Sequence, residues 1–142
     1  MKREIFTGLT DAQKAAGWTT CVLDFETRYD SYIGLTLRKQ TTEEYLRDRR
    51  FEVHAVSIAI DDAPVRSYGL GDIQPALRAI DWSKTVAVMH NAMFDAAILN
   101  EHYGIRPARI IDTMALARLL WPNLDGGYSL GCLLYTSPSP RD

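Results

Sequence analysis

Cysteine is scarce in this chain of 142 residues, which contains only Cys21 and Cys132. Two cysteines cannot form the disulfide framework of a small secreted domain, and they cannot supply a four-cysteine zinc site. The amino terminus lacks the basic, apolar and small-residue regions of a signal peptide, and no apolar run reaches the roughly 20 residues of a membrane-spanning helix. These absences predict a soluble, cytoplasmic protein with reduced thiols and no membrane partner.

An excess of charge of one sign is also lacking, because 16 basic and 18 acidic residues leave a formal net charge of -2. This balance excludes a global electrostatic attraction to nucleic acid. Basic residues do cluster locally, at Arg38-Lys39 and at Arg47, Arg49 and Arg50. The cluster fits a phosphate-binding patch and a solvated helix face equally well.

Glycine-rich phosphate-binding loops are absent as well. The nearest approach is Gly69-Leu70-Gly71, which lacks the third glycine of a dinucleotide-binding fingerprint. We therefore predict a turn at this position, which leaves a dinucleotide cofactor without a recognisable site.

Apolar periodicity and breaker residues predict alternating strands and helices. The predicted strands cover residues 19–25, 51–60, 65–68, 85–89 and 107–111. The predicted helices cover residues 12–16, 41–50, 72–80, 91–103 and 114–121, with caps at Thr10 or Asp11, Thr41, Asp72, Asn91 and Asp112. The second and third strands form an antiparallel hairpin, and the order of elements predicts an α/β fold with a mixed sheet.

The stretch Val22-Leu23-Asp24-Phe25-Glu26-Thr27 carries two carboxylates one residue apart at the end of an apolar strand. Side chains alternate along a strand, so Asp24 and Glu26 share one face, with Cα atoms about 6.6 Å apart, while Phe25 faces the other way. Two acids on one rigid face can bind a hard cation. The same spacing occurs in solvated edge strands, so the pair by itself leaves both interpretations open.

A second polar group follows the buried strand 85–89, in the segment His90-Asn91-Ala92-Met93-Phe94-Asp95. Asn91 is predicted to cap the next helix, and Asp95 falls in or just past its first turn, where the helix dipole favours negative charge. Both residues therefore have a structural explanation as well as a functional one.

Asp-Phe-Glu-Thr on the first strand, followed by His-Asn-x-x-Phe-Asp at a strand-to-helix junction, resembles the first two motifs of the DnaQ-like (DEDD) 3′–5′ exonucleases. Ile111-Asp112-Thr113 adds to the resemblance, which covers residues 21–130. It implies a ribonuclease H-like fold, with a mixed sheet flanked by helices. It also implies an enzyme that hydrolyses phosphodiester bonds at DNA 3′ ends.

The resemblance further implies roles for individual residues. Three acids match the catalytic, metal-binding positions: Asp24, Glu26 and Asp95. Three more residues match positions that approach the terminal nucleotide of a single-stranded DNA 3′ end: Thr27, Asn91 and Phe94. His90 is interpreted as structural. The acids would hold two divalent metal ions, Mg²⁺ or Mn²⁺, which serve both ends of a phosphodiester hydrolysis when they lie about 3.5–4 Å apart.

The third motif of this family, a Tyr or His followed by a final Asp, is expected beyond the helix begun by Tyr128-Ser129-Leu130, and it is not found. Tyr128 and Tyr135 have no acid four residues later, because Cys132 and Ser139 occupy those positions. Residues 132–142 pass into a Ser-Pro tail that matches a translated sequencing-library adapter. We therefore expect a partial exonuclease domain over residues 1–131, with its carboxy-terminal part missing, and a non-native tail over 132–142. A disordered Ser-Pro terminus is the alternative.

The stretch 41–52, together with 81–84, resembles phage-type family A DNA polymerases. The resemblance predicts the proofreading exonuclease of a phage-encoded polymerase in a bacterial host, with the polymerase domain of the same chain as its partner. Without the third motif, the fragment itself is expected to be inactive or weakly active. The alternatives are a stand-alone DEDD exonuclease on RNA or short oligonucleotides, and a non-catalytic nucleic-acid-binding module.

Overall fold

A computed structural model describes residues 8–136, which form a five-stranded mixed sheet flanked by helices. The strands are β1 (Thr19–Thr27), β2 (Val53–Ile60), β3 (Arg66–Gly69), β4 (Thr85–Met89) and β5 (Arg109–Asp112). The helices are α1 (Asp11–Ala15), α2 (Thr42–Arg47), α3 (Ile73–Arg78), α4 (Ala92–Tyr103), α5 (Thr113–Leu120) and α6 (Leu130–Thr136). Short 3₁₀ turns cover Leu70–Asp72 and Trp82–Lys84. None of the helices within residues 8–136 has the length and apolar character needed to cross a membrane.

The strand order is β3-β2-β1-β4-β5, with β1 at the centre of the sheet. β2 pairs antiparallel with both β1 and β3, which confirms the predicted hairpin, while β4 pairs parallel with both β1 and β5. The pairing of β1 with β4 ends at Val22, but its pairing with β2 continues to Thr27. The carboxyl end of β1 is therefore open on the β4 side. In open α/β sheets, ligands bind at such a point, where the strand order changes direction.

One face of β1 contributes to the core. Its buried residues Cys21, Leu23 and Phe25 belong to the same apolar cluster as Leu77 of α3 and Ile98 of α4. Each large apolar side chain that is fully buried in this way stabilises the fold by about 1.5–3 kcal/mol. The alternation predicted for this strand is confirmed, because the residues between the buried ones are exposed.

Local capping signals define several helix boundaries. The hydroxyl of Thr41 accepts the Glu44 N–H, and the Glu44 carboxylate accepts the Thr41 N–H at 2.8 Å, which confirms the predicted capping box of α2. Thr10 caps α1 in the same way. Helix α4 ends at Gly104 as predicted, where a φ of 66° suits glycine because it has no Cβ.

Two predicted boundaries are wrong. Asp72 makes no side-chain cap, because the preceding 3₁₀ turn leads directly into α3 and holds Asp72 in helical rather than extended dihedrals. Helix α2 ends at Arg47 instead of Arg50. At that point Asp48 turns to an extended conformation, and its carboxylate accepts the backbone and guanidinium N–H groups of Arg50.

The carboxy-terminal helix α6 crosses the boundary predicted between residues 131 and 132. The hydroxyl of Ser129 accepts the Cys132 N–H at 3.2 Å near the start of this helix. The rest of the predicted tail, residues 137–142, lies outside the described residues.

Candidate active site

Asp24 and Glu26 lie on the exposed face of β1, as their spacing predicts. Their partners across the β1–β2 ladder are small residues, Ser57 and Ala55, which leave space around the two acids. Phe25 faces the core between them, where its ring stacks on Tyr103 with the centroids 5.8 Å apart. The rigid central strand thus fixes the backbone beneath both carboxylates.

Asp95 lies in the first turn of α4, and its side chain is 3% exposed. Its Oδ1 accepts the backbone N–H of Phe25 at 3.0 Å. Phe25 lies past Val22, where the pairing of β1 with β4 ends, so its N–H would have no strand partner on that side. The Asp95 carboxylate is therefore held against β1 at the residue between Asp24 and Glu26.

The environment of Asp95 disfavours a negative charge. Burial raises the pKa of the Asp95 carboxyl to about 7, the Phe25 N–H opposes this shift, and the nearby charges of Asp24 and Asp112 add to it. An uncompensated carboxylate in this position is costly, and a bound cation would relieve that cost. A strongly perturbed acid next to other acids is a common feature of functional sites.

Asn91 occupies the N-cap position of α4, but its side chain makes no capping hydrogen bond, so that part of the prediction is wrong. Its backbone is left-handed, with φ 64° and ψ 59°, and its side chain is exposed. Asparagine tolerates this conformation better than most residues do. The side chain is consequently free to face solvent or a ligand near the start of α4.

Asp112, at the end of β5, supplies the caps of two helices. Its Oδ1 accepts the N–H groups of Met114 and Ala115 in α5, which confirms the predicted cap. The same carboxylate also accepts the Asn91 and Ala92 N–H groups at the start of α4, each at 3.1 Å. Asp112 therefore takes the capping role that the sequence assigns to Asn91.

Thr27 and Phe94 both contact Tyr45, a buried residue of α2 that sequence reasoning did not identify. The Thr27 hydroxyl lies 2.8 Å from the Tyr45 hydroxyl, and the Phe94 and Tyr45 ring centroids are 6.0 Å apart. Tyr45 lies within the 41–52 stretch that resembles phage-type polymerases, which is the one sequence signal that pointed to this segment. The structure thus brings Thr27 and Phe94 together around a third side chain.

His90 links the end of β4 to the segments that follow α4. Its Nδ1 lies 2.9 Å from the Thr113 hydroxyl, and its Nε2 lies 2.7 Å from the Tyr128 carbonyl oxygen. Both ring nitrogens are therefore engaged by the protein. This agrees with the structural role predicted for His90.

A family model described as 3′-5′ exonuclease matches residues 19–136, a range that includes all of the residues above. The chain belongs to the 3′–5′ exonuclease family. Among curated proteins, none matches the sequence of this chain.

Several solved structures resemble this chain. Brucella melitensis NrnC has a TM-score of 0.58 at 18% identity, over 84% of this chain and 54% of that chain. NrnC bound to pGG has a TM-score of 0.57 at 20% identity, over 87% and 56% of the two chains. NrnC with bound Mg²⁺ has a TM-score of 0.58 at 18% identity, over 87% and 57%. The chain thus spans just over half the length of these structures, and the likeness shows the predicted ribonuclease H-like fold.

The chemistry of these three carboxylates suits a divalent cation, but their arrangement does not form a metal site. Carboxylate oxygens are the ligands that Mg²⁺ and Mn²⁺ prefer, and the buried Asp95 needs compensating positive charge. Within residues 8–136, however, no group of three or more His, Cys, Asp or Glu side chains is arranged to hold a metal ion. Asp24, Glu26 and Asp95 are neighbours around Phe25 without forming such a group.

Within residues 8–136, a fourth acid for this candidate site is not evident near the first three. Asp112 influences the charge of Asp95, but its two oxygens already accept four backbone N–H groups. Tyr128, which has no acid four residues later, donates its hydroxyl to the Trp121 carbonyl oxygen at 2.6 Å. Cys132, the residue at that spacing, lies in α6.

Proposed function

We propose that this exonuclease removes nucleotides from the 3′ ends of single strands, at a site formed by Asp24, Glu26 and Asp95. The observation that carries the proposal is the buried Asp95 carboxylate, which accepts the Phe25 N–H between the two exposed acids of β1. The three acids, which come from two elements, thus lie around Phe25 at the open end of the central strand. This is the region of an α/β sheet where ligands bind.

Asp24, Glu26 and Asp95 would hold the divalent metal ions, and Thr27, Asn91 and Phe94 would contact the terminal nucleotide. When bound, the ions generate a hydroxide nucleophile from water and stabilise the leaving oxygen. Support for a divalent cofactor comes from the chemistry of the acids and from the similar NrnC structure that contains Mg²⁺.

Short single-stranded oligonucleotides are the substrate class that we favour, cleaved without an attached polymerase. The support is that structures of NrnC, one of them bound to pGG, are among the similar ones. Thr27 and Phe94, the two predicted nucleotide contacts on β1 and α4, both contact Tyr45.

A second candidate is the proofreading exonuclease of a phage-type DNA polymerase. The observation that favours it is the resemblance of residues 41–52 to that class, in a segment that contacts the site through Tyr45. The nucleotide sequence downstream in the gene distinguishes the two candidates. Polymerase motifs there would favour proofreading, whereas an exonuclease reading frame without them would favour the stand-alone enzyme.

The test is to incubate the purified chain with 5′-labelled single-stranded DNA and RNA oligonucleotides and Mn²⁺ or Mg²⁺. We expect stepwise loss of 3′ nucleotides at a low rate, because no Tyr or His with an Asp four residues later follows the first two motifs in this sequence. Asp24→Ala should reduce this rate by at least about 100-fold, since it removes a ligand of the reacting metal. Denaturing gels resolve the shortened products.

Asp62→Ala, which removes an exposed acid from the β2–β3 turn, is the matched control and should retain the wild-type rate. Shortening that persists in Asp24→Ala would contradict the proposal. Oligonucleotide binding that is unaffected by a chelator and by Asp95→Ala, with no shortening at all, would instead indicate a non-catalytic binding module.

A further inference from the structure

Residues 28–40, which follow the end of β1, form a hairpin that exposes several large side chains. Tyr32 is 99% exposed, and Tyr29 is 63% exposed. Ile33 and Leu37 are each about half exposed. Exposed apolar and aromatic side chains that concentrate in one short segment are typical of an interaction surface. We call this segment the 28–40 hairpin.

The protein fixes the backbone of the 28–40 hairpin. Asp30 and Leu35 pair across it through two backbone hydrogen bonds of 3.1 and 2.9 Å. The Asp30 carboxylate also accepts the backbone N–H groups of Tyr32 and Ile33. From a neighbouring segment, the Arg50 guanidinium donates to the Ile33 carbonyl oxygen at 2.7 Å. The exposed side chains therefore sit on an ordered backbone, which lowers the entropy cost of binding a ligand.

The 28–40 hairpin also carries free positive charge. It contains three basic residues and a single acid, in a chain with a formal net charge of -2. The side chains of Arg38 and Lys39 are exposed, and within residues 8–136 they form no ion pair or hydrogen bond. The acids of the hairpin and of the segment after it are engaged by protein groups: Asp30 by two backbone N–H groups, Glu43 by Arg47, Glu44 by the Thr41 N–H and Asp48 by Arg50. The unpaired charge that remains attracts a polyanion.

Exposed tyrosine rings beside unpaired basic side chains match the two chemical features of a single-stranded nucleic acid. The bases of a single strand stack on aromatic rings, and its phosphates attract Arg and Lys side chains. Neither the Tyr29 ring nor the Tyr32 ring contacts another aromatic ring or a cation within residues 8–136. In a duplex the base faces are covered by neighbouring bases, so a single strand is the ligand that uses both features.

The start of the 28–40 hairpin is held close to the acids of β1. The backbone N–H of Arg28 donates to the Glu52 carbonyl oxygen at 2.8 Å, and the Tyr45 hydroxyl donates to the Arg28 carbonyl oxygen. Tyr29 is three residues from Glu26, so their Cα atoms are at most about 11 Å apart. A strand whose 3′ end lies at the acids therefore reaches the hairpin within a few nucleotides.

We infer that the 28–40 hairpin binds the part of a single strand that lies upstream of its 3′-terminal nucleotide. Bases stack on Tyr29 and Tyr32, and phosphates contact Arg38 and Lys39. The inference rests on the proposed function for one point, namely that the 3′ end of the bound strand lies at the acids. It assigns a binding surface outside the position of the terminal nucleotide, and it predicts that affinity increases with strand length.

The test measures the binding of a 5′-labelled thymidine dinucleotide and octanucleotide to the purified chain by fluorescence anisotropy, with Ca²⁺ as the metal. The wild type should bind the octanucleotide at least about 10-fold more tightly, because only the longer strand covers the hairpin. Tyr32→Ala should weaken octanucleotide binding about 5-fold, the lower end of the range for one stacked base. Because Tyr32 is so exposed, this substitution removes no core contact.

Two further variants of Tyr32 separate stacking from general apolar contact. Tyr32→Phe keeps the ring and should keep the wild-type affinity for the octanucleotide. Tyr32→Leu keeps a large apolar side chain without a ring and should bind as weakly as Tyr32→Ala. Leu119→Ala, which removes a 77% exposed apolar side chain from α5, is the matched control and should bind like the wild type.

The basic side chains are tested by the salt dependence of octanucleotide binding. Each phosphate contact on a single strand contributes about 0.7 to the slope of log affinity against log salt concentration. The double variant Arg38→Ala with Lys39→Ala should therefore have a slope that is less steep by about 1.4. Arg78→Ala, which removes an exposed charge from α3, should keep the wild-type slope.

The possible outcomes distinguish this inference from the proposed function. Equal affinity of Tyr32→Ala and the wild type for the octanucleotide, or equal wild-type affinity for the two lengths, would overturn the inference alone. Weaker binding by the hairpin variants of a chain that shortens no oligonucleotide would support the inference and contradict the proposed function. A wild type that binds neither oligonucleotide would overturn both.

A second copy of the chain is the competing occupant of the hairpin. Light scattering would then show a dimer that Tyr32→Ala dissociates, while octanucleotide binding stays unchanged. That result would make the hairpin an interface between copies and would overturn the inference.

Discussion

The carboxyl group of Asp95 lowers the stability of the metal-free fold. Its carboxylate is buried in the first turn of α4 and lies close to the charge of Asp24, while one backbone N–H from Phe25 partly compensates. Stability alone would favour a neutral side chain in this position. A costly acid next to other acids is therefore better explained by binding of a cation than by packing.

Replacement of this acid by Asn should stabilise the metal-free chain. Between the ordinary pKa of 3.8 and the folded pKa of about 7, the folded chain holds a proton that the unfolded chain releases. Stability therefore falls as the pH rises through this window, and Asp95→Asn should remove that dependence. At pH 8 with chelator, we expect Asp95→Asn to be more stable than the wild type by about 2–4 kcal/mol, measured by urea unfolding.

The Asn side chain can still accept the Phe25 N–H, so the comparison isolates the charge. Asp62→Asn makes the same substitution on the exposed β2–β3 turn and serves as the control. A wild-type chain whose stability rises between pH 4 and pH 7, relative to Asp95→Asn, would show that the Asp95 carboxyl is not held in a charge-disfavouring environment.

At the scale of the elements, Asp112 connects the ends of one strand and two helices. It lies at the end of β5 and caps both α4 and α5 with one carboxylate. Although burial opposes ionisation, four backbone N–H donors hold the pKa of Asp112 below its usual value. The left-handed turn at Asn91, and with it the first turn that carries Asp95, is fixed by a residue of the next strand.

Loss of the Asp112 carboxylate should therefore destabilise the folded chain more than the loss of an ordinary helix cap does. We expect Asp112→Ala to lower the free energy of unfolding by roughly 2–4 kcal/mol at pH 7, because two helix caps of about 1 kcal/mol each are lost and partly buried N–H groups are left unpaired. Asp112→Asn keeps one oxygen and should lose less. Because the folded pKa is lowered, the Asp112→Ala deficit should shrink as the pH falls below 3.8.

Asp81 offers the matched comparison, since its carboxylate accepts the Ser83 N–H and caps a single 3₁₀ turn. Asp81→Ala should cost no more than about 1 kcal/mol by the same urea measurement. If Asp81→Ala and Asp112→Ala lowered the free energy of unfolding equally, the contacts of Asp112 with α4 would add nothing to stability.

At the scale of the whole molecule, the sheet has a closed face and an open end. The closed face of β1 is centred on Cys21, which is 0% exposed within the apolar cluster. Burial, and then the negative charge of Asp61, raise the pKa of the Cys21 thiol to about 12. The acids lie on the other face of the same strand, so β1 serves both the core and the site.

The buried thiol provides a test of the intact fold. In a Cys132→Ser background, Cys21 should resist alkylation by iodoacetamide at pH 8, because the thiolate is the reactive form and access to it is blocked. In urea the same thiol should react at the rate of a free cysteine. Mass spectrometry follows the modification, and alkylation in native buffer at the rate seen in urea would contradict the packing of β1.

The sequence by itself determined the features that depend on near neighbours along the chain. Alternation along β1 put Asp24 and Glu26 on one face. The cap at Thr10, the capping box at Thr41 and the glycine at residue 104 marked helix ends. Each of these signals acts within a few residues, so a single sequence displays it in full. The motifs around Asp24 and Asp95 likewise pointed to the exonuclease family.

Only the tertiary structure decided how these pieces meet. The Phe25–Asp95 hydrogen bond joins residues 70 apart in sequence, the Asp112–Asn91 bond joins residues 21 apart, and the Thr27–Tyr45 bond joins residues 18 apart. These contacts depend on where β1 stops pairing with β4 and on how β5 ends beside α4. Local patterns contain no information on such positions, which is why Asn91 was expected to cap α4 and Tyr45 was missed.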